Sequence, residues 1–146
     1  MFNLLKSCKF TKMKGRASAS TTDQTPAAAL DMTGYDSVCL IAALGDATSG
    51  SVLELQVFGV ATNAVTGGTE LTADSCQHTA ASSSDSDDTL LIVDIHRPGY
   101  RYIYPTLVID TQNCESDGIY AIQYNARDLP VSQGSTVLAS AFLQKG

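Results

Sequence analysis

Two runs of apolar and aromatic residues within residues 100–127, each with a period of two, are the feature that most constrains how this chain can fold. Tyr100, Tyr102 and Tyr104 share this spacing, and residues 120–124 repeat it. Successive side chains of a β-strand point to opposite faces, so a period of two indicates strands with one covered face. A polar, turn-forming segment separates the two runs, which predicts adjacent antiparallel strands joined by a medium-length loop.

Pro105 lies inside the first of these runs and limits where that strand can be placed. Proline has no N–H group to donate to a neighbouring strand. The strand is therefore predicted to lie at the edge of a sheet or to contain a bulge.

Other apolar and β-branched runs extend the strand pattern along most of the chain. Residues 37–44 and 90–95 are apolar at both parities, which predicts strands that are covered on both faces and hence an oligomer built through the sheets. The other predicted strands are residues 13–20, residues 51–60, a short strand or helical turn at 27–32, one or two weak strands in 70–79, and a last strand or C-terminal arm at 136–143.

This succession of strands decides the predicted fold class. No convincing helix exceeds two turns, and the 146 residues contain neither an internal repeat nor a linker to a second domain. The chain is therefore predicted to be all-β, a jelly-roll or related β-sandwich of about seven or eight strands with an extended N-terminal arm. Residues 17–146 form the single predicted domain.

The basic residues are concentrated at the start of the chain. Five of the nine lysines and arginines precede Asp23, the first of fifteen acids, although the net charge of the whole chain is −6. A basic segment on an acidic body predicts an interaction arm, residues 1–16. Its candidate partner-binding residues are Lys6, Lys9, Phe10, Lys12, Lys14 and Arg16. The alternatives are a frayed, solvated terminus and a mitochondrial transit peptide, which shares this composition.

The aromatic run supplies a second set of candidates. Arg97, Tyr100, Arg101 and Tyr102 are predicted to make surface contacts. A row of tyrosines can also be a stacking platform for single-stranded nucleic acid or sugar. Tyrosines at strand spacing are more commonly half-buried sheet residues with the hydroxyl in water. Because the acidic body repels phosphates, no direct binding of nucleic acid is predicted.

The sequence carries no motif for catalysis, cofactor binding or metal binding. His78 and His96 lie outside any nucleophile motif, and no phosphate-binding glycine loop occurs. The acids of residues 85–88 lack the glycine and glutamate positions of a calcium loop and predict a solvated acidic loop. The four cysteines are too widely spaced for a zinc site and are predicted to be free thiols in a reducing compartment. The longest apolar run is too short to span a membrane.

Four stretches together carry a resemblance to a known family. They are residues 31–38 with the apolar strand that follows, residues 90–98, residues 101–105 and residues 117–124. In this order and spacing they resemble small structural proteins of tailed bacteriophages, of the capsid decoration or cement type. The resemblance covers roughly residues 12 to 131 and consists of structural patterns without catalytic residues.

The resemblance implies a function on the virion. Proteins of this type look like jelly-roll or related β-sandwiches that form homodimers or homotrimers on the capsid surface and reinforce the shell. The expected partners are the major capsid protein and further copies of the chain, after synthesis in the bacterial host cytoplasm. A head–tail connector or tail component is an alternative. A carbohydrate-binding β-sandwich on the virion surface, using the tyrosines, is an alternative of another class.

Overall fold

The computed structural model describes residues 3–73 and 75–145, which form two antiparallel sheets and almost no helix. Within these described residues the single helix is α1 (Leu4–Ser7). The strands are β1 (Lys9–Lys14), β2 (Ala17–Ser20), β3 (Leu30–Asp31), β4 (Tyr35–Ala47), β5 (Val52–Val60), β6 (Thr69–Glu70), β7 (Gln77–Thr79), β8 (Thr89–His96), β9 (Tyr102–Asp110) and β10 (Cys114–Ala126). The prediction of an all-β sandwich is confirmed at this level.

Each sheet contains five strands. Sheet A has the order β1–β10–β4–β8, and β2 continues past β1 along the same edge of β10. Sheet B has the order β3–β9–β5–β6, and β7 pairs with the beginning of β5. Strands β4 and β10 are the longest, and each contributes alternate residues to the inner face of sheet A.

The core lies between the two inner faces. Leu40, Leu44 and Ile119 enter it from sheet A, and Leu55 and Leu107 enter it from sheet B; all five are at most 2% exposed. Burying a leucine or isoleucine side chain stabilises a fold by about 1.5–3 kcal/mol, so the alternation in these strands accounts for the register of both sheets.

The two aromatic runs do not pair with each other, and the predicted hairpin is wrong. Strand β9 lies in sheet B between β3 and β5, whereas β10 lies in sheet A between β1 and β4. Residues 111–113 carry the chain from one sheet to the other. Ile109 before this turn and Cys114 after it are both buried in the core. A period of two reports that a strand has a covered face, but two strands that cover each other from opposite sheets show the same period.

Pro105 is accommodated without a bulge in an internal strand. It lies opposite Val57 of β5 in an uninterrupted register. On the other side of β9, backbone pairing with β3 covers only Tyr102 and Ile103, and the next backbone pairing is the bridge between Gln24 and Leu107. The missing N–H of proline therefore lies in a stretch of β9 without backbone pairing on that side. The prediction of an edge strand or a bulge is wrong, because this gap in the pairing accommodates proline inside the sheet.

The N-terminal residues are part of the sandwich over most of their length. Residues 9–14, expected as an extended arm, form β1 and pair with β10 from Gln123 to Ile119. The expectation of an extended arm does not hold for this stretch, because its backbone pairs with β10 as an edge strand of sheet A. At its end, the backbone oxygen of Lys14 would lie 2.8 Å from a Cβ at Gly118, which explains why glycine occupies that position.

The last residues contain no strand. Residues 127–145 are irregular, so the strand predicted at 136–143 is absent and the alternative, a C-terminal arm, describes this stretch. The segment begins beside α1, where the Val131 amide donates to the Lys6 carbonyl over 2.8 Å. We call residues 131–145 the C-terminal segment.

Candidate functional site

The outer face of sheet B is covered by the chain itself. Phe58 and Tyr104 stack at 5.1 Å between ring centroids, and Gly68 packs so closely that a Cβ there would lie 2.8 Å from the Phe58 Cβ. The Gly68 amide also donates to the Tyr104 hydroxyl over 3.4 Å. The chain between β5 and β6 thus forms a lid over these two rings, and Tyr104 is only 4% exposed.

The outer face of sheet A has no such lid among the described residues. Ile41 of β4 lies directly between Tyr120 of β10 and Ile92 of β8. Leu90 and Ile92 are 55% and 51% exposed, respectively. Ile122 adds a further half-buried apolar side chain. We call Ile41, Leu90, Ile92, Tyr120 and Ile122 the outer patch. An exposed apolar surface of this kind is typical of a protein-binding site.

One edge of sheet A is open. Strand β8 pairs with β4, and no described strand pairs with its other side. The Arg97 amide, just beyond β8, donates to the Asp36 carbonyl. Because backbone groups alternate in direction along a strand, those of Leu90, Ile92 and Asp94 face away from β4. The Cys76 thiol, which donates to the Ile92 carbonyl over 3.6 Å, approaches from that side.

The opposite edge of sheet A is closed by the C-terminal segment. The amide of Phe10 donates to Gln133 Oε1 over 3.0 Å, and the amide of Lys12 donates to Thr136 Oγ1 over 3.2 Å. Gln133 Nε2 also donates to the carbonyls of Leu5 and Cys8. Side chains here take the place of a neighbouring strand, so the outward-facing amides of Phe10 and Lys12 are satisfied.

Beyond these contacts the C-terminal segment exposes apolar side chains. Leu138 is 99% exposed, Phe142 is 48% exposed and Leu143 is 75% exposed. Residues 131–144 carry no charged side chain. Between Val137 of the segment and Ile41 of β4 lies an apolar groove of about 370 Å³. The segment therefore adds apolar surface to the side of the molecule that already carries the outer patch.

Polar side chains border the outer patch at the end of the sheet. The Tyr124 hydroxyl donates to Asp94 Oδ1 over 2.6 Å, and this hydrogen bond, aided by burial, raises the pKa of Tyr124. The buried Ser37 hydroxyl lies 2.7 Å from His96 Nδ1 and accepts a hydrogen bond from Asn125 Nδ2 over 3.0 Å. These contacts tie three neighbouring strands together.

A cleft of about 510 Å³ lies at the same end of the sandwich, among residues 32–36, residues 97–101 and Arg127. Arg127 Nη2 lies 3.1 Å from an Asp36 carboxylate oxygen. Arg97 adopts a left-handed backbone with φ of 52° and makes no ion pair among the described residues. We call this the arginine cleft.

Asp31 borders the arginine cleft through its ion pair with Arg101, whose Nη2 lies 3.3 Å from Asp31 Oδ2. Burial alone would raise the pKa of Asp31, but hydrogen bonds from the Thr33 hydroxyl and amide and from Arg101 outweigh it and lower the pKa to about 2. The guanidinium of Arg101 also lies 5.0 Å above the ring of Tyr102.

The predicted contact residues divide between two places. Arg97, Tyr100 and Arg101 line the arginine cleft, with Tyr102 beneath Arg101. The six N-terminal candidates lie on α1, on β1 and just beyond it: Lys6, Lys9, Phe10, Lys12, Lys14 and Arg16. These six residues differ in their exposure and in the contacts that they already make within the chain.

Lys6 and Lys12 are exposed, and the Lys12 ammonium lies 6.0 Å from the Tyr120 ring centroid. Arg16 is already engaged within the chain, with contacts of 3.3 Å to Glu115 and 3.5 Å to Asp117. Of the predicted basic contacts, Lys6 and Lys12 are therefore the most accessible to a partner.

Sequence reasoning missed two parts of these surfaces. Arg127 and Asp36 enter the arginine cleft from segments far apart in the chain, and no local pattern joins them. The role of Gln133 at the β1 edge was also missed, because glutamine in an irregular segment carries no periodic signal. The tyrosines, considered as one platform, belong to different sheets: residues 100–104 precede or form β9, whereas Tyr120 and Tyr124 lie on β10.

The remaining chemistry concerns thiols and acids. The four cysteines are unpaired, and burial raises the pKa of the Cys8 and Cys114 thiols. In the predicted acidic loop, Asp85 accepts hydrogen bonds from the Ala81 amide and from His78, which lies 2.8 Å away. Within residues 3–73 and 75–145, no group of three or more potential ligands is placed to hold a metal ion.

No protein-family model matches the chain, and no curated protein matches it. No helix in the described part of the chain is long and apolar enough to cross a membrane.

Proposed function

We propose that this chain is a structural virion protein that binds the outside of a tailed-phage capsid, stabilises the shell and acts without catalysis. The resemblance of four stretches between residues 31 and 124 to capsid decoration proteins is the starting point. The proposed partners are the major capsid protein and further copies of the chain. The outer patch and the open edge of β8 supply surfaces suited to such contacts.

The pairing of the strands supports a jelly roll. If β1 with β2, and β6 with β7, are each counted as one interrupted strand, the ten strands reduce to eight. The first then pairs with the eighth, the second with the seventh, the third with the sixth and the fourth with the fifth. A chain paired in this way is one long hairpin wound around the core, and jelly rolls are common in viral capsid proteins.

The observation that carries the proposal is the one-sided distribution of uncovered apolar surface. Sheet B is closed by its own lid, whereas sheet A leaves the outer patch and the β8 edge uncovered among the described residues. A shell-coating protein needs such a side for its neighbours. Repetition over a lattice then allows modest contacts to hold through avidity.

The capsid contact is proposed to involve the basic side of the molecule. Lys6 of α1 and Lys12 of β1 are exposed, and neither makes an ion pair among the described residues. Exposed ion pairs contribute only about 0–1 kcal/mol each and are weakened by salt. Particle binding should therefore depend moderately on ionic strength, and the double variant Lys6→Ala, Lys12→Ala should reduce that dependence.

An image reconstruction of purified particles that contain the chain tests the proposal. Many copies spread regularly over the outside of the shell are the expected result. A single ring at one vertex would replace it with the connector alternative. Absence of the chain from purified particles, when it is abundant in infected cells, would contradict a virion function altogether.

The arginine cleft favours the carbohydrate-binding alternative as a second candidate. Its volume, the unpaired Arg97 and the ring of Tyr100 suit a small sugar that carries a carboxylate. Titration with an oligosaccharide of uronic acids, followed by amide chemical shifts, checks this function. Shifts confined to residues 32–36 and 97–101, lost in Arg97→Ala but kept in Arg16→Ala, would favour it. The absence of shifts at millimolar sugar would exclude it.

A further inference from the structure

We propose that the C-terminal segment of one copy adds as a strand to the open edge of β8 in a second copy. The inference rests on the self-association part of the proposed function and is independent of the capsid. It assigns a partner to the two largest groups of uncovered apolar side chains in the described chain: those of β8 and those of residues 137–143.

The acceptor is an unusually apolar edge strand. Leu90 and Ile92 point to the outer face and are about half exposed, while Leu91, Val93 and Ile95 point inward and are only partly buried. Asp94 is the single charge in this strand. Natural sheets protect a free edge with charges, prolines, bulges or a covering segment. On β8 the protection is limited to Asp94 and to the Cys76 thiol on the Ile92 carbonyl, and no described strand pairs along this edge. A further strand would cover its backbone groups and both of its faces.

The donor has the composition that strand addition requires. Residues 137–143 contain no charge, no proline and no glycine, and their apolar side chains occur at both parities. A segment with this pattern can place side chains on both faces of the extended sheet while its backbone pairs with the edge. Seven residues nearly match the eight of β8. Leu138, at 99% exposed, makes almost no contact within its own copy.

The tether directs the segment away from its own β8. Gln133 and Thr136 fix it to the β1 edge, on the opposite side of sheet A. Crossing its own face to the far side of β8 would span five strand spacings, about 24 Å, and would use about all of residues 137–143 before any pairing began. Ser140 and Phe142 instead lie beside Asn3 and Lys6, next to α1. A neighbouring copy placed beside β1 can present its β8 to the segment without such a crossing.

This arrangement joins unlike surfaces, because the β1 side of one copy meets the β8 side of the next. Such a heterologous contact forms a ring if the rotation between copies closes and an open filament if it does not. The pairing would continue sheet A from copy to copy through the added strand. A closed ring is the arrangement that agrees with the homo-oligomer of the proposed function.

The test separates the donor from the acceptor in the purified protein. One variant is truncated after Thr136 and retains the tethering residues but lacks the donor. The other carries Leu90→Lys and Ile92→Lys on exposed positions of β8, where lysine blocks edge pairing. Leu129→Lys, at an exposed apolar residue outside both surfaces, is the matched control. Circular dichroism establishes that each variant remains folded, and sedimentation equilibrium gives the mass.

The full chain and Leu129→Lys should form the same oligomer. The double lysine variant should be a monomer with a mass close to the 15.4 kDa of one chain. The truncated variant should also be a monomer, lighter by the deleted residues. Mixing the two defective variants should yield a one-to-one heterodimer and nothing larger, because one supplies only a segment and the other only an edge. A truncated chain that assembles like the full chain would overturn the inference, as would a mixture that stays monomeric. Neither result bears on capsid binding, which the particle reconstruction decides separately.

Discussion

The two sheets of this sandwich have similar apolar inner faces, but their outer faces differ in how far the chain covers them. Sheet B is covered outside by the chain between β5 and β6, with Tyr104 and Phe58 stacked beneath it. Sheet A carries comparable apolar residues outside, Ile41, Ile92 and Ile122, but its only cover in the described chain is the C-terminal segment along β1. The same chemistry is thus internal on one side of the molecule and available to a partner on the other.

The difference shows where stability and association are encoded. Apolar residues beneath a lid contribute to the free energy of unfolding of the single chain, since they leave water when it folds. Half-exposed apolar residues contribute little to folding and gain their cover only from another molecule. Substitutions of similar size should therefore lower the free energy of unfolding on the outer face of sheet B and weaken association on the outer face of sheet A.

The largest expected effect contrasts Tyr104→Ala with Ile92→Ala. Removing the buried Tyr104 ring should lower the free energy of unfolding by about 3–5 kcal/mol, because its stacking partner Phe58 loses cover and a cavity remains. Ile92→Ala should cost the monomer less than about 1 kcal/mol, since its side chain is already half in water. Urea denaturation at low protein concentration measures both. Equal losses would show that the two faces are covered alike.

Gly59→Ala probes how tightly the Tyr100 ring is packed against sheet B. A Cβ at Gly59 would lie 2.2 Å from a ring carbon of Tyr100, so the ring must move. Overpacking of this kind costs about 1–3 kcal/mol in the free energy of unfolding. Gly15→Ala is the control, because a Cβ added at Gly15 would meet no atom within 4 Å. Denaturation midpoints that fall equally in both variants would contradict the close contact.

Gln133→Ala tests the one cover that sheet A has in the described chain. The variant removes the acceptor for the Phe10 amide and the donors to the Leu5 and Cys8 carbonyls. The expected loss is about 1–2 kcal/mol, because water can replace part of these hydrogen bonds at the surface. Limited proteolysis should cleave residues 131–145 faster than in wild type, whereas Gln144→Ala should leave the rate unchanged. Unchanged cleavage in Gln133→Ala would mean that the segment is held by other contacts.

The smallest expected effect concerns pH at the arginine cleft. The pKa of Asp31 is about 2 in the folded chain, below its ordinary value of 3.8. Its carboxylate therefore stabilises the fold above pH 4, and this contribution is lost as the pH falls from 4 towards 2. Because the pair with Arg101 is largely exposed, the contribution is at most about 1 kcal/mol. Asp31→Asn should be less stable than wild type at pH 6 by this amount, and the difference should shrink to a small fraction of it at pH 2, where about half of the Asp31 carboxyl groups are protonated. A difference at pH 2 as large as that at pH 6 would contradict this account.

The sequence predicted the fold class, because the period of two reports covered faces residue by residue. It also placed strands close to β4, β5 and β8, where apolar runs are long. It did not predict which sheet a strand joins: β9 and β10 have the pattern of a hairpin but line the core from opposite sides. Sheet assignment depends on contacts between distant segments, which local periodicity does not contain.

The candidate surfaces were predictable only in part, for a related reason. Exposed cationic residues such as Lys12 and Arg97 were identified by their chemistry. The closure of the β1 edge by Gln133 and the joining of Arg127 to Asp36 depend on chain positions that meet only after folding. Residues 9–14 were assigned to a basic arm from their charge, although they form an edge strand, β1.

Amide hydrogen exchange of the full chain at a low and a high protein concentration tests the central claim most directly. Association through sheet A should slow exchange at the amides of Leu90, Ile92 and Asp94 as the concentration rises, because each gains a hydrogen-bond acceptor. The amides of β7 (Gln77–Thr79), at an edge of sheet B, should exchange at the same rate in both samples. Protection that increases at β7 and not at β8 would contradict the claim that sheet A carries the interface.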